Sequence, residues 1–179
     1  MGKGYFAIQA IGKDKPGLVA KITGVVCERF GCNIEGSAMT IVGGHFASTL
    51  IASALEEINE ANLREALAAE LELGLHVSPI AEADVGRSWR EASHEVTVET
   101  VERHGLVLEI SRVLFDHGMN INYLGSSCNS GRNSCTVVIT TALPGSMRAK
   151  ELEWLLEKTL PGDVFVDVKP VQAGSSEAP

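Results

Sequence analysis

A short segment near the start of the chain has the residue types and spacing of a binding loop for a small anion. Asp14-Lys15-Pro16-Gly17 follows a strand-like segment, and Leu18 opens a segment with helical periodicity. Gly17 lets main-chain atoms come close to a ligand because it has no side chain, and Pro16 fixes its own backbone angle. The first N–H groups of a helix have no partners inside the helix, and with the helix dipole they favour a carboxylate. We therefore predict a carboxylate site at residues 17–20.

A second part of the predicted site follows that helix. Asn33 and Ile34 begin the next strand-like segment. An asparagine amide both donates and accepts hydrogen bonds, so Asn33 could hold the amino or side-chain end of the same ligand. The alternative interpretation is that Gly17 and Asn33 only make tight turns.

The same pattern recurs in the second half of the chain. His104-Gly105-Leu106 matches Pro16-Gly17-Leu18, and Asn120-Ile121 matches Asn33-Ile34, with one residue lost just before Gly118. This repetition favours a site over two coincidental turns. The second copy has a histidine in place of the proline and an acidic residue nearby, so we prefer the first copy as the ligand site.

The repeated residues must be positioned by a repeated framework of strands and helices. In the first half, hydrophobic periodicity predicts strands at 5–13, 33–42, 45–53 and 75–80, with helices at 18–30 and 56–73. In the second half it predicts strands at 94–103, 120–127, 135–142 and 163–171, with helices at 106–117 and 147–159, the last one capped by Ser146. Each half is therefore predicted to be a ferredoxin-like βαββαβ domain of the α+β class, with both helices on one face of an antiparallel sheet.

The predicted domain boundaries follow from composition. We place the first domain at residues 1–83, a linker at 84–93, the second domain at 94–171 and a disordered tail at 172–179. The linker is polar and charged, and its Trp89 is expected to pack between the domains. The tail is small and polar, which is typical of disorder. The open face of each sheet is expected to be covered by the other half or by another chain.

Charge and composition exclude several classes of partner. The net charge is -8 and the pI is about 5.1, which disfavours direct nucleic-acid binding and acidic membranes. The sequence has no apolar run long enough to span a bilayer and no recognisable signal peptide, so we predict a cytoplasmic protein. The cysteines, at 27, 32, 128 and 135, are then expected to be reduced. We expect them to act as small buried hydrophobes, and a metal or redox site is the alternative.

The predicted fold hosts many functions, so the residues must distinguish RNA binding, catalysis and metal transport from ligand binding. Stacking of RNA bases would need exposed aromatic residues on the central strands, and these are missing. The histidines are scattered and no nucleophile motif accompanies them, so we predict no catalytic residues and no cofactor. Metal transport would need a closely spaced cysteine pair in the first loop, which has none.

The segment Asp14-Lys15-Pro16-Gly17-Leu18-Val19, followed by Gly31-Cys32-Asn33-Ile34, resembles the signature of ACT domains. Motif, spacing and element order agree over residues 5–83 and 94–171. Two tandem domains with nothing else attached most resemble the glycine-cleavage-system transcriptional repressor group.

The resemblance implies a ligand, a site and a mode of action. ACT domains bind small amino acids at interfaces between paired domains, and glycine and serine are the first candidates here. The implied ligand residues are Asp14, Pro16, Gly17, Leu18, Asn33 and Ile34, with His104, Gly105, Leu106, Asn120 and Ile121 as the second copy. Paired domains commonly join edge to edge and chains often dimerise, which implies a homodimer. The repressor-like group acts by contacting a transcription activator. The alternative is a ligand-free interaction module, such as an accessory subunit of a metabolic enzyme.

Overall fold

An antiparallel four-stranded sheet is the framework of each half of the chain. The computed structural model describes residues 3–85, 91–129 and 131–171, and contacts divide the chain into two compact units, Met1–Arg87 and Ser88–Pro179. Trp89, Ser130 and the predicted tail at 172–179 lie outside the described residues. The predicted domain and linker boundaries stay predictions, although Ser93, assigned to the linker, already pairs with the second sheet through Thr141 and Val171.

The first unit follows the predicted order of elements. Its elements are β1 (Gly4–Lys13), α1 (Leu18–Thr23), a π-helical continuation of α1 (Gly24–Arg29), β2 (Asn33–Val42), β3 (His45–Ala54), α2 (Glu60–Glu70) and β4 (Gly74–Ile80). The strands lie in the order β2-β3-β1-β4, so β2 and β4 form the edges. A short 3₁₀ turn, Glu82–Asp84, follows β4.

The second unit repeats this plan. Its elements are β5 (His94–Val101), α3 (Leu106–Asp116), β6 (Ile121–Asn129), β7 (Ser134–Thr141), α4 (Ala149–Thr159) and β8 (Val164–Pro170). The strand order β6-β7-β5-β8 is the counterpart of the order in the first sheet. The predicted α+β class and the βαββαβ repeat are therefore confirmed.

Alternate strand residues and one stripe of each helix form a separate core in each unit. In the first unit the completely buried members include Ile8, Ala52 and Leu67; in the second they include Ile139 and Leu156. Burial of a Leu or Ile side chain stabilises the folded state by about 1.5–3 kcal/mol. These cores hold the helices against one face of each sheet and so fix where the loops before α1 and α3 lie.

The two units differ in the helix that follows the glycine loop. Between its flanking left-handed glycines, Gly17 and Gly31, the first unit has one residue more than the second has between Gly105 and Gly118. The first unit accommodates the extra residue as π-helical hydrogen bonding over Gly24–Arg29, whereas α3 is α-helical throughout. The extra residue therefore leaves the buried stripe of the helix in place.

Three predicted helix ends were wrong by two residues or more. The second helix was predicted to begin at residue 56, but α2 begins at Glu60 because the Asn59 side chain accepts hydrogen bonds from the N–H groups of Ala61 and Asn62. It ends at Glu70, three residues earlier than predicted. Ser146 does not cap α4, which begins at Ala149; the Glu151 carboxylate accepts the Arg148 N–H at 2.8 Å instead.

The cysteine prediction was only partly right. Cys32 is buried and Cys27 is half-buried, and both are free. Cys128 and Cys135 instead form a disulfide, because the register of the β6–β7 hairpin places them directly opposite each other with Cα atoms 4.1 Å apart. Cys128 is exposed on the edge strand rather than buried.

Candidate functional site

The loop between β1 and α1 has the left-handed glycine turn on which the predicted site depends. Gly17 has φ of 88° and ψ of 1°, a conformation that other residues adopt only with strain. This conformation by itself accounts for a glycine at the position. A Cβ placed on Gly17 would meet no atom within 4 Å, so the space beside the turn is open to a ligand.

The main-chain donors beside this turn have no acceptor in the described parts of the chain. The Lys21 N–H donates to the Gly17 carbonyl at 3.0 Å and closes the first turn of the helix. The N–H groups of residues 17–20 precede that bond and find no acceptor among the described residues. They form the group of donors that the sequence predicted for a carboxylate.

The second loop reproduces this backbone geometry. Gly105 has φ of 82° and ψ of 3°, and its carbonyl accepts the Glu109 N–H at 3.0 Å. Each loop is also tied to the adjacent hairpin: Asp14 N–H donates to Gly44 at 2.9 Å, and Glu102 N–H donates to Asn133 at 3.3 Å. The two loops are thus equivalent in main-chain structure.

The first loop borders a cleft with charges of both signs. The cleft has a volume of about 380 Å³ and lies between the start of α1 and the end of α2. Lys15 and Lys21 line it opposite Glu70 and Glu72. Lys15 Nζ donates to Glu72 at 2.7 Å and holds the pKa of that carboxyl below its usual value. Lysines next to free N–H groups suit a carboxylate, and the carboxylates opposite them suit an ammonium group.

The second loop has different charges. Arg103 takes the place of Lys15, and its Nη1 lies 2.5 Å from the Glu109 carboxylate on the first turn of α3. Glu109 itself takes the place of Lys21. Sequence reasoning named His104, which is exposed, but did not name Arg103, which is mostly buried.

The sheet register places Asn33 far from the Gly17 turn within one unit. Lys13, at the end of β1, pairs with His45, and His45 pairs with Val42 at the end of β2. Asn33 lies at the opposite end of β2, which at about 3.3 Å per residue is roughly 30 Å away. Asn120 has the same relation to Gly105 because it precedes β6. One unit alone therefore cannot bring the loop and the asparagine to one small ligand.

Asn33 instead belongs to a polar network around Glu35. The Glu35 carboxylate accepts hydrogen bonds from Lys3 at 2.5 Å, Ser53 at 2.6 Å and Asn33 at 3.3 Å. The Lys3 ammonium, with smaller contributions from Ser53 and Asn33, lowers the pKa of Glu35 to about 2. Glu35 occupies a bulge in β2 at the β2–β3 register shift, which is how its side chain reaches Ser53.

The apolar residues of the predicted site have different roles. Leu18 and Leu106 are 7% and 4% exposed and belong to the cores, so they position the loops. Ile34 lines a groove of about 80 Å³ between α1 and strands β2 and β3. Ser48, which sequence reasoning missed, lines the same groove with a buried hydroxyl that has no partner among the described residues.

The edge strands next to α1 and α3 present apolar side chains to solvent. On β2, Met39 and Ile41 are 52% and 54% exposed. Met39 lines the same groove as Val19 of α1. On β6, Tyr123 is 58% exposed, and Leu108 of α3 is 53% exposed. An unpaired edge with apolar neighbours is a surface suited to pairing with another strand.

The chain consists of two tandem βαββαβ domains with equivalent glycine loops, and the first of them matches a known protein family. Residues 4–78, which contain the first loop and Asn33, match the ACT domain family. This match covers less than half of the chain and likens the first unit to ACT domains; the second unit has the same βαββαβ fold. No curated protein sequence gives a significant match.

Solved structures with the same tandem arrangement extend the likeness over the whole chain. A protein of unknown function from Galdieria sulphuraria is 20% identical with a TM-score of 0.75, covering 95% of this chain and 99% of its own. A "putative glycine cleavage system transcriptional repressor" is 17% identical with a TM-score of 0.66, covering 96% of this chain and 100% of its own. At these identities the likeness shows a shared tandem βαββαβ fold. Within the described residues, no helix is long and apolar enough to cross a membrane.

Proposed function

We propose that this chain is a non-enzymatic regulatory protein that senses a small amino acid and acts through contact with another protein. The observation that carries the proposal is the Gly17 turn of an ACT domain, with unoccupied main-chain donors and a cleft lined by Lys15 and Lys21 opposite Glu70 and Glu72. An α-amino acid carries both charges that this arrangement would bind. Asp14, Pro16 and Gly17 form the loop, and Leu18 anchors it in the core.

The position of Asn33 supports a site shared by two units. If β2 of one unit pairs antiparallel with an equivalent edge strand of another, the loop end of each unit meets the asparagine end of the other. Asn33 and Ile34, or Asn120 and Ile121, could then complete the site at a Gly17 or Gly105 loop. The exposed apolar side chains on β2 and β6 support such pairing, and a homodimer is one way to achieve it.

The proposed output is a change in affinity for a protein partner. A ligand that bridges two units favours one arrangement of them over another, and a partner that distinguishes the arrangements responds. The resemblance to the repressor group implies a transcription activator as that partner. The name of the repressor-like structure supports glycine-cleavage genes as the target. Glycine and serine are accordingly the first ligands to test.

The second candidate function is a ligand-free interaction module, for example an accessory subunit of a metabolic enzyme. The exposed apolar edges of β2 and β6 favour it, because they would serve protein binding without any amino acid. The two functions differ in whether an amino acid stabilises the native state.

Thermal denaturation in the presence of each standard amino acid tests the proposal. A ligand that binds only the native state stabilises it by about 2.7 kcal/mol at a hundred times its Kd. We expect glycine or serine to raise the midpoint of the wild-type protein and to leave that of Gly17→Val unchanged.

Gly162→Val is the matched control because Gly162 has φ of 87° and, like Gly17, no atom within 4 Å of an added Cβ. Both substitutions cost at least about 1–2 kcal/mol of backbone strain, so only the ligand response separates them. An unchanged response in Gly17→Val would show that the loop is not the site. If no amino acid raises the wild-type midpoint, the interaction module is the better account.

A further inference from the structure

The disulfide of the second unit joins an exposed residue to a buried one. Cys128 on β6 and Cys135 on β7 lie directly opposite each other in the hairpin and are joined by their sulfur atoms. Opposite residues of antiparallel strands point to the same face of the sheet, and Cys135 belongs to the core on that face. Cys135 is 5% exposed, whereas Cys128 is exposed because β6 is an edge strand. A small thiol in solution can therefore reach the disulfide from the side of Cys128.

The first unit builds the same hairpin without a covalent link. Ile41 and Phe46 are opposite each other one pair before the turn, which is the register position of Cys128 and Cys135 in the second unit. Ile41 is 54% exposed and Phe46 is 1% exposed, so an exposed and a buried side chain meet here too, through apolar contact alone. The hairpin thus forms without a disulfide, and the cysteine pair needs an explanation other than the fold.

An exposed disulfide is suited to thiol–disulfide exchange. Exposed disulfides have more oxidising potentials than buried ones, so thiols reduce them more readily. A thiolate that attacks the Cys128 sulfur forms a mixed disulfide with it and releases Cys135 as a thiolate, which takes up a proton. A second small thiolate attacks the mixed disulfide and releases Cys128, which is protonated in turn. The net reaction turns one protein disulfide and two small thiols into two protein thiols and one small disulfide.

The same hairpin is tied to the loop before α3. The Glu102 N–H donates to the Asn133 carbonyl at 3.3 Å, and Asn133 lies two residues before Cys135. Cys135 pairs with Thr100, which lies two residues before Glu102. The end of an edge strand is a place where a sheet opens easily, and a cross-link to the neighbouring strand opposes that opening. Closing the disulfide therefore holds in place the turn that accepts the Glu102 N–H.

We propose that Cys128 and Cys135 form a reversible oxidation site whose reaction partner is a small thiol and its disulfide. In the disulfide state the hairpin holds the loop before α3. In the dithiol state the end of β6 opens and the Glu102 N–H is released. This site is independent of whether either glycine loop binds an amino acid.

Redox titration of the full chain without denaturant tests the chemistry. The protein is equilibrated with reduced and oxidised glutathione at a series of ratios, free thiols are alkylated, and the labelled peptides are identified by mass spectrometry. We expect Cys128 and Cys135 to become labelled together as reduced glutathione increases, and to be protected again when oxidised glutathione is restored. The circular dichroism spectrum should stay that of the folded chain throughout.

Two results of this titration overturn the proposal. One is a pair that stays unlabelled in excess reduced glutathione until the chain is denatured, which identifies a structural disulfide. The other is a reduced pair that oxidised glutathione does not close. Cys32 is the internal comparison, since it is buried and burial raises the pKa of its thiol, with a smaller contribution from Cys27. Its labelling should not follow the glutathione ratio.

Amide hydrogen exchange of Glu102, followed by NMR, tests the link to the loop. We expect this exchange to become about threefold faster or more in the reduced protein and in Cys128→Ser, because the strand end is no longer cross-linked. Asp14 is the matched control: its N–H donates to the Gly44 carbonyl at 2.9 Å at the equivalent place in the first unit, so its exchange should not change. Equal exchange of Glu102 in the oxidised and reduced proteins overturns the proposal, because the disulfide would not control the loop. If Cys128→Ser does not fold, the wild-type protein in its two redox states gives the same comparison.

Discussion

Individual residues show which parts of the candidate site can be predicted from a sequence. The glycine turn was predictable, because a left-handed residue before a helix is nearly always glycine, and Gly17 and Gly105 both adopt that conformation. The partners of Asn33 were not predictable. Its amide donates to Glu35, which also receives bonds from Lys3 and Ser53, and these residues come together only when the strands pair. A local motif fixes backbone conformation, whereas a hydrogen-bond network depends on register.

The Glu35 network predicts a pH dependence of stability. Because its pKa falls from 4.5 to about 2 on folding, Glu35 stabilises the folded state above about pH 4.5, and this contribution is lost as the pH falls towards 2. Glu35→Gln should therefore be less stable than wild type at pH 6, and the difference should shrink towards pH 2. Urea denaturation at several pH values measures it.

The matched control for that experiment is Glu65→Gln, at an exposed position on α2. It should change the urea midpoint little at any of these pH values. A difference between wild type and Glu35→Gln that stays constant from pH 6 to 2 would contradict the role given to the network.

The order and type of the strands and helices could be predicted from the sequence. Their first and last residues were predicted less accurately. The internal repeat predicted both βαββαβ units, because the same hydrophobic spacing occurs in both halves of the sequence. The end of β6 was placed before Cys128, and this hid the pairing with Cys135 although the intervening turn had been predicted. The extra residue before Gly31 was visible in the sequence, but its accommodation as a π-helical segment depends on the core that holds Val25 and Val26 in place.

The exposed edge of β2 leads to a prediction about self-association of the chain. If units pair through this edge, Met39→Lys should weaken self-association, because it places a charge among apolar side chains beside an unpaired strand. Thr49→Lys is the control: Thr49 is exposed on β3, away from the edge. Analytical ultracentrifugation should show a lower mass for Met39→Lys only. Dissociation by Thr49→Lys, with Met39→Lys unaffected, would place the interface on the sheet face instead.

At the scale of the molecule, the central question is how a loop and an asparagine roughly 30 Å apart in one unit can serve one ligand. No sequence pattern answers it, because the answer depends on how units pair and not on either unit's fold. The tandem repeat supplies two glycine loops and two candidate asparagines, Asn33 and Asn120. The loops differ in charge, with Lys15 and Lys21 in one and Arg103 and Glu109 in the other. The chain could therefore respond to one ligand with two unequal affinities.

The most direct test of amino-acid binding at the first loop is a crystal structure of the full chain with glycine, or with whichever amino acid most raises the thermal midpoint. The account predicts ligand density with its carboxylate within hydrogen-bond distance of the N–H groups of residues 17–20, and with an asparagine from another unit against the same molecule. Density for the amino acid at a different place, with those N–H groups facing only solvent, would contradict it.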